Sequence, residues 1–507
     1  MCYGAWKRAR FLCKSGVRTG RMLFQPQTSL YSAVKTLKNK LHTNAFWSSS
    51  EYYGDNNLAW GQRFSDGNQN NNNKNNTNSV RAVRDFAQRQ AQADVKICLC
   101  HFGIYFMDDL NCLKNEQKDF PVTIEDVFEA YYECRKHKRN KSGALKFEVN
   151  LEENLIQLWN DLCSGNYKPK PSVVFIVEEP VKREIFAADF RDRIVHHLVL
   201  KYLNPIFEQY FIYDSYSCRE GKGTHFGIRR VSDFMKNCSL NNTRKCWILK
   251  TDICGYFMSI NKSILFAKLE SFIKSNYFNP NRDFIINLCR IIIFNNPTKN
   301  CIFHSSKNKW NDLPKNKSLF FAAENCGLPI GNFTSQVFAN FYLTEFDKFI
   351  KNICGIKFYG RYVDDCVIVH KSKSFLLKLV PVLRYYLKSQ LGLKLHPKKI
   401  SLQPVFNGVR FLGCFVKHSH IIVNKRIIRN FKRSIALHNY LAMLHKPDVF
   451  EKQHFISSVN SYLGIMRHYK TYRIRSHILK LDISSDWKKH ICFSSDFNKI
   501  QLKRGAQ

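Results

Sequence analysis

The stretch Lys357-Phe358-Tyr359-Gly360-Arg361-Tyr362-Val363-Asp364-Asp365-Cys366-Val367-Ile368-Val369-His370 places two adjacent carboxylates between two apolar runs. Both runs are rich in β-branched and aromatic residues, which predicts two strands joined by a tight turn with Asp364 and Asp365 at its exposed tip. Neighbouring carboxylates repel each other unless a cation lies between them. Mg²⁺ suits such a place because it binds carboxylate oxygens together with substrate phosphates. An Asp-Asp pair is also ordinary turn chemistry, so a second motif is needed.

The second motif lies upstream, where the apolar run Trp247-Ile248-Leu249-Lys250-Thr251 ends at Asp252. If this run is a strand beside the hairpin, Asp252 completes a three-carboxylate site. Three such carboxylates can hold two metal ions for an in-line displacement at phosphorus. Taken alone, Asp252 would be interpreted as the N-cap of a helix.

Together the two motifs resemble those of reverse transcriptases, which carry them in this order. The matching residues are Asp252-Ile253 with Tyr256-Phe257, and Tyr362-Val363-Asp364-Asp365. The resemblance implies an α+β, right-hand polymerase fold with fingers, a palm built on an antiparallel sheet, and a helical thumb. It implies an RNA-directed DNA polymerase that takes dNTPs, an RNA template and a DNA or cDNA primer strand. It also implies two Mg²⁺ ions, or Mn²⁺ in their place, held by Asp252, Ile253, Asp364 and Asp365.

Other positions match family blocks that surround the incoming nucleotide and the primer. The resemblance implies that the aromatic ring of Phe257 excludes the ribose 2′-hydroxyl, although core packing is the alternative role. Lys399 stands where a lysine protonates the leaving pyrophosphate, and it is equally consistent with a solvated lysine. The remaining candidates for nucleotide binding are Arg183, Arg219, Lys222, Gly331 and Gln336. The hairpin expected to grip the primer contains Phe411, Leu412 and Gly413.

One block departs from most reverse transcriptases and resembles the branch found in diversity-generating retroelements. Where most members have Gln-Gly and then Ser-Pro, this chain has Ile330-Gly331 and then Ser335-Gln336. That branch copies an adenine-rich template repeat with errors at adenines. Because an apolar side chain cannot make the hydrogen bonds of a glutamine, we expect Ile330 to lower fidelity there.

The N-terminal part differs in composition from the rest, since residues 68–78 are mostly asparagine. Such a polar, low-complexity run cannot bury a core. Residues near 43–86 resemble the variable end of lectin-fold target proteins of those retroelements. We therefore interpret them as a translated template repeat joined to the polymerase by an early start, with Met107 as the expected true start. An Asn-rich linker behind a small N-terminal domain is the alternative.

Composition supports a nucleic-acid partner. The 507 residues carry a formal net charge of +39, yet 44% of them are hydrophobic, so the charge belongs to a folded chain. Apolar runs are too short to span a bilayer. The 18 cysteines are scattered without a Cys-x-x-Cys pair, which indicates reduced thiols and a cytoplasmic location. The family usually works with a small basic accessory protein, and we expect one here.

Changes in composition along the chain also predict the boundaries of its domains. They are 1–106 for the extension, 107–245 for the fingers, 246–415 for the palm with an inserted segment near 285–325, 416–490 for the thumb and 491–507 for a basic tail. Two other functions remain open at this stage. A retron-like or antiviral reverse transcriptase would share the carboxylates without needing a template repeat, and a non-catalytic RNA-binding scaffold would not need the carboxylates.

Overall fold

The computed structural model describes residues 45–51, 58–63, 69–73, 121–136, 138–178 and 181–503. The chain divides into two compact units, residues 1–116 and 117–507. The expected start at Met107, much of the segment 43–86, and residues 504–507 of the predicted tail lie outside the described residues. None of the described helices is long and apolar enough to cross a membrane.

The first unit contains a three-stranded antiparallel sheet. Its strands are β1 (Ala45–Glu51), β2 (Leu58–Arg63) and β3 (Gln69–Asn73), with β2 in the centre. The asparagine run supplies the edge strand Gln69–Asn73 of this sheet. Strand pairing uses backbone groups, so a polar segment forms an edge strand when a neighbour supplies the partner. The register pairs Leu58 with Asn73.

The second unit mixes helices and strands around several sheets. Its α-helices up to Leu391 are α1 (Ile124–Arg135), α2 (Ser142–Glu148), α3 (Leu151–Cys163), α4 (Phe190–Tyr210), α5 (Thr224–Cys238), α6 (Tyr256–Ser259), α7 (Lys262–Asn276), α8 (Arg282–Phe294), α9 (Phe333–Tyr342), α10 (Thr344–Lys348) and α11 (Lys373–Leu391). Its strands up to that point are β4 (Val173–Val177), β5 (Arg183–Ala187), β6 (Trp247–Thr251), β7 (Ile302–Phe303), β8 (Phe358–Tyr362) and β9 (Asp365–His370).

The sheet that organises this unit has the strand order β10-β6-β9-β8, where β10 is Ser401–Pro404, and every pairing is antiparallel. The strand β9 is almost entirely buried because helices cover the sheet, which explains its continuous apolar run. The helices α4, α7, α8, α9 and α11 contribute to the largest hydrophobic core. A second core on the other face contains side chains of α5. Because it is covered on both faces, the sheet is a rigid base for the residues at the ends of its strands.

A smaller sheet with the order β5-β4-β7 lies next to the motif around Gly331. The strand β5 is antiparallel to β4, whereas β7 pairs with β4 in parallel. The polypeptide between α8 and α9 supplies β7 and several short 3-10 turns, including Lys307–Trp310, Lys315–Lys317 and Leu319–Phe321. The helix α8 is packed into the main core, so the first part of the predicted inserted segment near 285–325 belongs to that core.

The C-terminal part begins with a three-stranded sheet of β11 (Val409–Phe411), β12 (Cys414–Val416) and β13 (Ile421–Val423). Helices then follow, namely α12 (Lys425–Leu444), α13 (Val449–Met466), α14 (Tyr472–His477) and α15 (Ser485–His490). The predicted basic tail was wrong for the described residues to 503. The strands β14 (Ile491–Phe493) and β15 (Ile500–Leu502) form a hairpin, because Ile491 and Ile500 are buried in the same core as α12 and α13.

Candidate active site

Strand register brings Asp252 next to the Asp364–Asp365 pair. The ladder between β6 and β9 pairs Thr251 with Cys366, so the next residues toward the end of the sheet are Asp252 and Asp365. The backbone of Asp252 is held by its carbonyl, which accepts a hydrogen bond from the His396 N–H at 2.8 Å. Residues that are more than 100 positions apart therefore meet at one end of the central sheet.

The hairpin that carries the pair is tighter than the sequence indicated. Tyr362 pairs with Asp365, which leaves only Val363 and Asp364 in the turn, and Val363 has a left-handed backbone with φ of 55°. We expected both carboxylates at an exposed tip. Instead, Asp365 is the first residue of β9, and both side chains are half-buried. The reason is that the turn lies against the end of β6 rather than projecting from the sheet.

A buried polar network supports this turn from below. The Arg361 guanidinium is fully buried and forms an ion pair with Asp347, with 2.5 Å between Nη2 and Oδ2. Its Nη1 donates to the Val363 carbonyl at 2.9 Å and to Asn340 Oδ1 at 3.0 Å. Tyr359 Oη donates to the same Asp347 carboxylate. These contacts satisfy the guanidinium and fix the backbone just before Asp364.

Two lysines lie against the carboxylates. Lys399 Nζ donates to Asp252 Oδ2 at 2.9 Å, and Lys250 Nζ is 3.0 Å from Asp365 Oδ1. We predicted Lys399 at this site but missed Lys250. The signal was in the sequence, because Lys250 and Asp252 are two residues apart at the end of a strand and so point to the same face.

Mutual repulsion and burial dominate the electrostatics. Burial, together with the nearby carboxylates of Asp252 and Asp365, raises the pKa of Asp364 to about 6. Burial also raises the pKa of Asp365, although the ammonium group of Lys250 opposes the shift. A carboxylate pKa that repulsion raises marks a place where a cation would stabilise the ionised form. The site is therefore built to favour positive charge.

The donor set fits divalent cations, although the side chains are turned toward the lysines. Asp252 Oδ1 is buried and makes no hydrogen bond, so one carboxylate oxygen lacks a partner. In the described part of the chain, no three His, Cys, Asp or Glu side chains surround a single position as a metal ion would require. Lys250 and Lys399 instead provide the positive charge. Carboxylate oxygens are the ligands that Mg²⁺ and Mn²⁺ prefer, so the three aspartates would be the residues to hold such ions.

The loop around Gly331 connects the small sheet to the segment after Asp252. The Phe186 N–H on β5 donates to the Ile330 carbonyl, and the Leu328 N–H donates to the Phe257 carbonyl, both at 2.8 Å. Gly331 has φ of 130°, and a Cβ there would lie 2.7 Å from the Phe186 carbonyl oxygen. Glycine is therefore required at this close approach between two backbones.

Ile330 and Phe257 are half-buried in one small hydrophobic cluster. The core of this cluster comprises Val174, Phe186, Met258 and Leu319. The predicted roles of Phe257 in excluding the ribose 2′-hydroxyl and of Ile330 in lowering fidelity stay predictions. We placed Ser335 and Gln336 in the loop before a helix, but α9 already begins at Phe333. Gln336 lies on its surface, where Oε1 accepts a hydrogen bond from Cys218.

Two of the predicted phosphate contacts have other partners. Arg219 is 5% exposed in its side chain, and it forms an ion pair with Glu208 and donates to the carbonyls of Ile212 and Ser215. Lys222 donates to the Tyr213 carbonyl, and burial, with Arg219 nearby, lowers its pKa to about 8. Both cations hold their own loop in this structure, and their binding to the nucleotide stays a prediction. Arg183, in contrast, has an exposed side chain on β5.

The predicted primer-grip residues form a two-residue hairpin turn. Leu412 and Gly413 both have positive φ, 47° and 81°, which suits the primed turns that join adjacent antiparallel strands. Phe411 is buried beneath them, and its ring centroid is 6.0 Å from Lys250 Nζ. The Asn424 N–H donates to the Gly413 carbonyl at 3.0 Å, which ties this turn to the start of α12.

An antiparallel sheet with three carboxylates at one end, followed by a helical C-terminal region, is the arrangement that the resemblance led us to expect of a polymerase. Residues 170–416 match the family described as "Reverse transcriptase (RNA-dependent DNA polymerase)". This match supports a reverse transcriptase domain in that part of the chain, the domain type of RNA-directed DNA polymerases. The predicted α+β, right-hand polymerase fold is confirmed, and so is the prediction of an enzyme of this class.

Individual relatives are distant. The chain is 25% identical over 313 residues to "Protein YkfC" of Escherichia coli (strain K12), an alignment that covers 55% of this chain and 74% of that protein. It is 24% identical over 248 residues to an "Uncharacterized 91 kDa protein in cob intron" of Schizosaccharomyces pombe, covering 47% of this chain and 26% of that protein.

The solved structures that this chain resembles weakly include two telomerases. The telomerase of Candida albicans, in complex with a fragment of telomeric RNA, has 11% identity and a TM-score of 0.37, covering 64% of this chain and 61% of that one. The apo telomerase of Candida tropicalis truncated from its C-terminal domain has 13% identity and a TM-score of 0.37, covering 53% and 60%. The chain thus spans about three fifths of both structures.

Proposed function

We propose that the whole protein synthesises cDNA on an RNA template by nucleotidyl transfer at Asp252, Asp364 and Asp365. The observation that carries this proposal is the pairing of Thr251 with Cys366, which brings the three carboxylates to one end of a rigid sheet. A scaffold without catalytic activity would have no use for a buried cluster of repelling carboxylates, since their burial costs stability.

The residues around the site suit the parts of this reaction. Divalent ions held by the three aspartates would activate the primer 3′-hydroxyl and stabilise the leaving pyrophosphate. Lys399, 2.9 Å from Asp252, is close enough to supply a proton to that pyrophosphate once a cation replaces its ion pair. The Leu412–Gly413 turn would support the primer strand near Lys250, and exposed Arg183 remains a candidate for the triphosphate.

Primer extension tests the proposal directly. The wild type and Asp364→Asn would be compared on a short RNA template with an annealed DNA primer, in Mg²⁺ and in Mn²⁺. We expect Asp364→Asn to lower the extension rate at least about 10³-fold, because a lost metal ligand removes several kcal/mol of transition-state stabilisation. Asp283→Asn is the matched control, since Asp283 is an exposed residue on α8. A wild type that fails to extend any primer, or a fully active Asp364→Asn, would disprove the proposal.

We further propose that this polymerase diversifies a target gene by copying a template repeat with errors at adenines. Support comes from Ile330-Gly331 and Ser335-Gln336, and from the asparagine-rich segment, whose codons are adenine-rich. Ile330 shares a hydrophobic cluster with Phe257, so both candidates for nucleotide selection lie at one place. A small basic accessory protein and a cytoplasmic location belong to the same proposal.

The DNA around the gene separates this role from that of a retron-like or antiviral reverse transcriptase. We expect a near-copy of the sequence that encodes residues 43–86 in a neighbouring gene for a lectin-like protein. The two copies would differ mainly at positions that are adenine in the repeat. Differences spread evenly over all four bases would favour the retron-like or antiviral alternative.

A further inference from the structure

The segment between α8 and α9 exposes aromatic side chains where a protein surface normally carries polar ones. Phe303 on β7 is 44% exposed, Phe320 is 36% exposed and Phe321 is 61% exposed. The rings of Phe303 and Phe320 stack, with 5.9 Å between centroids and 8° between planes. Exposed aromatic groups of this kind indicate an interaction site rather than a solvated loop.

Lysines accompany these rings. Lys307 Nζ is 5.8 Å from the centroid of Phe303, and Lys315 Nζ is 5.5 Å from the centroid of Phe321. We call the set Phe303, Phe320, Phe321, Lys307 and Lys315 the aromatic–lysine patch. Residues 301–321 contain four lysines and a single acidic residue, Asp312, so the partner of the patch should be negatively charged.

The patch is held in shape by a buried carboxylate. Glu184 on β5 accepts hydrogen bonds from Trp310 Nε1 at 2.7 Å, from Ser318 Oγ at 2.8 Å and from the Leu319 N–H at 2.6 Å. Strand β7 is also hydrogen-bonded to β4. Because these contacts order the segment in advance, a ligand would not have to supply the ordering free energy.

The position of the patch connects it with the candidate active site. The ring of Phe320 lies 5.4 Å from that of Phe186, and the Phe186 N–H donates to the Ile330 carbonyl. Only Phe186 therefore separates the patch from the loop whose Ile330 we propose lowers fidelity at template adenines. A template strand that has not yet been copied is unpaired and would be available to bind near this loop.

We propose that the aromatic–lysine patch binds the single-stranded RNA template ahead of the active site. Unpaired bases would stack on the exposed phenylalanine rings, and the lysines would neutralise neighbouring phosphates. A duplex hides the faces of its bases, so it could not use the rings in this way. The proposal rests on the proposed polymerase function for the identity of the RNA, but binding is measured independently of activity.

The direct test uses a fluorescein-labelled 12-nucleotide RNA whose binding to the full chain is followed by anisotropy. The double variant Phe321→Ala/Lys315→Gln should bind about tenfold more weakly, because one stacked base and one phosphate contact are lost. The slope of log Kd against log salt should fall by about 0.7, as expected for one phosphate contact on a single strand. Tyr385→Ala/Lys388→Gln is the matched control, because Tyr385 is 75% exposed on α11, far from this segment in sequence, and it should bind as the wild type does.

Two further measurements keep this proposal separate from the polymerase proposal. On templates with a 12-nucleotide 5′ overhang, the double variant should show a higher KM for template, while templates with a one-nucleotide overhang should be extended as by the wild type. An inactive wild type that still binds RNA through the patch would refute only the polymerase function. Unchanged RNA affinity in the double variant, or equal competition by polyglutamate of matched charge, would overturn the patch, since a purely anionic protein partner would then explain the lysines.

Discussion

Arg361 and Asp347 form an ion pair that is sealed from solvent directly beneath the hairpin that carries Asp364. The same guanidinium donates to the carbonyl of Val363, the residue before Asp364. The Arg361 guanidinium therefore both pairs with the buried Asp347 carboxylate and fixes the turn, so the stability of the fold and the position of the hairpin depend on the same group. Neither residue was among the candidates from sequence.

Removing one member of this pair should destabilise the protein strongly. Arg361→Met leaves the Asp347 carboxylate buried without its counter-ion, so we expect the free energy of unfolding to fall by about 3–5 kcal/mol. Urea denaturation measures this loss. The control Lys348→Met breaks a surface pair with Glu345 and should cost no more than about 1 kcal/mol. Equal losses in the two variants would show that the buried pair does not hold the hairpin.

The raised pKa of Asp364 makes stability depend on pH in the metal-free protein. The folded-state pKa of about 6 lies above the ordinary aspartate value of 3.8, so the folded protein binds this proton more tightly than the unfolded chain. Stability is therefore lost as pH rises from about 4 to about 6, by at most about 3 kcal/mol. In EDTA, Asp364→Asn should consequently be more stable than the wild type at pH 7.5 and equal to it near pH 4.

Thermal unfolding at both pH values, with and without Mg²⁺, checks this prediction. Mg²⁺ should stabilise the wild type at pH 7.5, and it should have little effect on Asp364→Asn, which lacks one ligand. Asp283→Asn should follow the wild type throughout. A wild type that is more stable than Asp364→Asn in EDTA at pH 7.5 would contradict the repulsion on which the metal site depends.

Glu184 should determine how firmly the segment 301–321 is attached. One Glu184 oxygen accepts from Trp310 and Ser318, and the other accepts from the Leu319 N–H. Glu184→Gln replaces one of these oxygens with an NH₂ group, which cannot accept a hydrogen bond. At least one buried donor therefore loses its acceptor. We expect a cost of about 1–3 kcal/mol and faster tryptic cleavage at the lysines of the segment. Glu178→Gln, which alters only an exposed ion pair with Lys309, is the control and should be cleaved like the wild type. Equal protection in both variants would mean that Glu184 does not hold the segment.

Ile330→Gln should raise fidelity at template adenines if the chain belongs to the diversifying branch. A glutamine restores the hydrogen-bonding group that most reverse transcriptases carry at this position, whereas isoleucine offers only apolar contact. Sequencing of cDNA made on an adenine-rich RNA template gives the error rate at each base. Ile353→Gln, at an exposed position, serves as the control and should leave errors unchanged. Identical error rates in all three proteins would remove Ile330 from the fidelity site.

Much of the secondary structure could be predicted because it depends on the pattern of apolar and polar residues along short stretches of the chain. The apolar runs at 247–251 and 365–370 form neighbouring strands, as their residues predicted. Boundaries were less accurate, as for α9, which starts before Ser335. The hairpin of β14 and β15 was missed because two short strands separated by polar residues resemble a tail until a core is available to bury Ile491 and Ile500.

Charged side chains were the least predictable part of the candidate site. Arg219 resembled a phosphate ligand, but Glu208 and two carbonyls occupy its donors. Lys250 was not predicted as a residue of the site, although it contacts Asp365. A motif records which residue type is present, and it does not record which partners satisfy that residue after folding.

The sequence by itself determined the order of the carboxylate motifs, the strands that end in them and the excess of positive charge, because these depend on neighbours along the chain. Only the tertiary structure decided that Lys399 pairs with Asp252 across 147 positions, that Arg361 supports the turn, and that Glu184 holds an aromatic surface in place. The physical reason is that a buried charge is stable only beside its partner, and the partner is chosen by packing rather than by position in the chain.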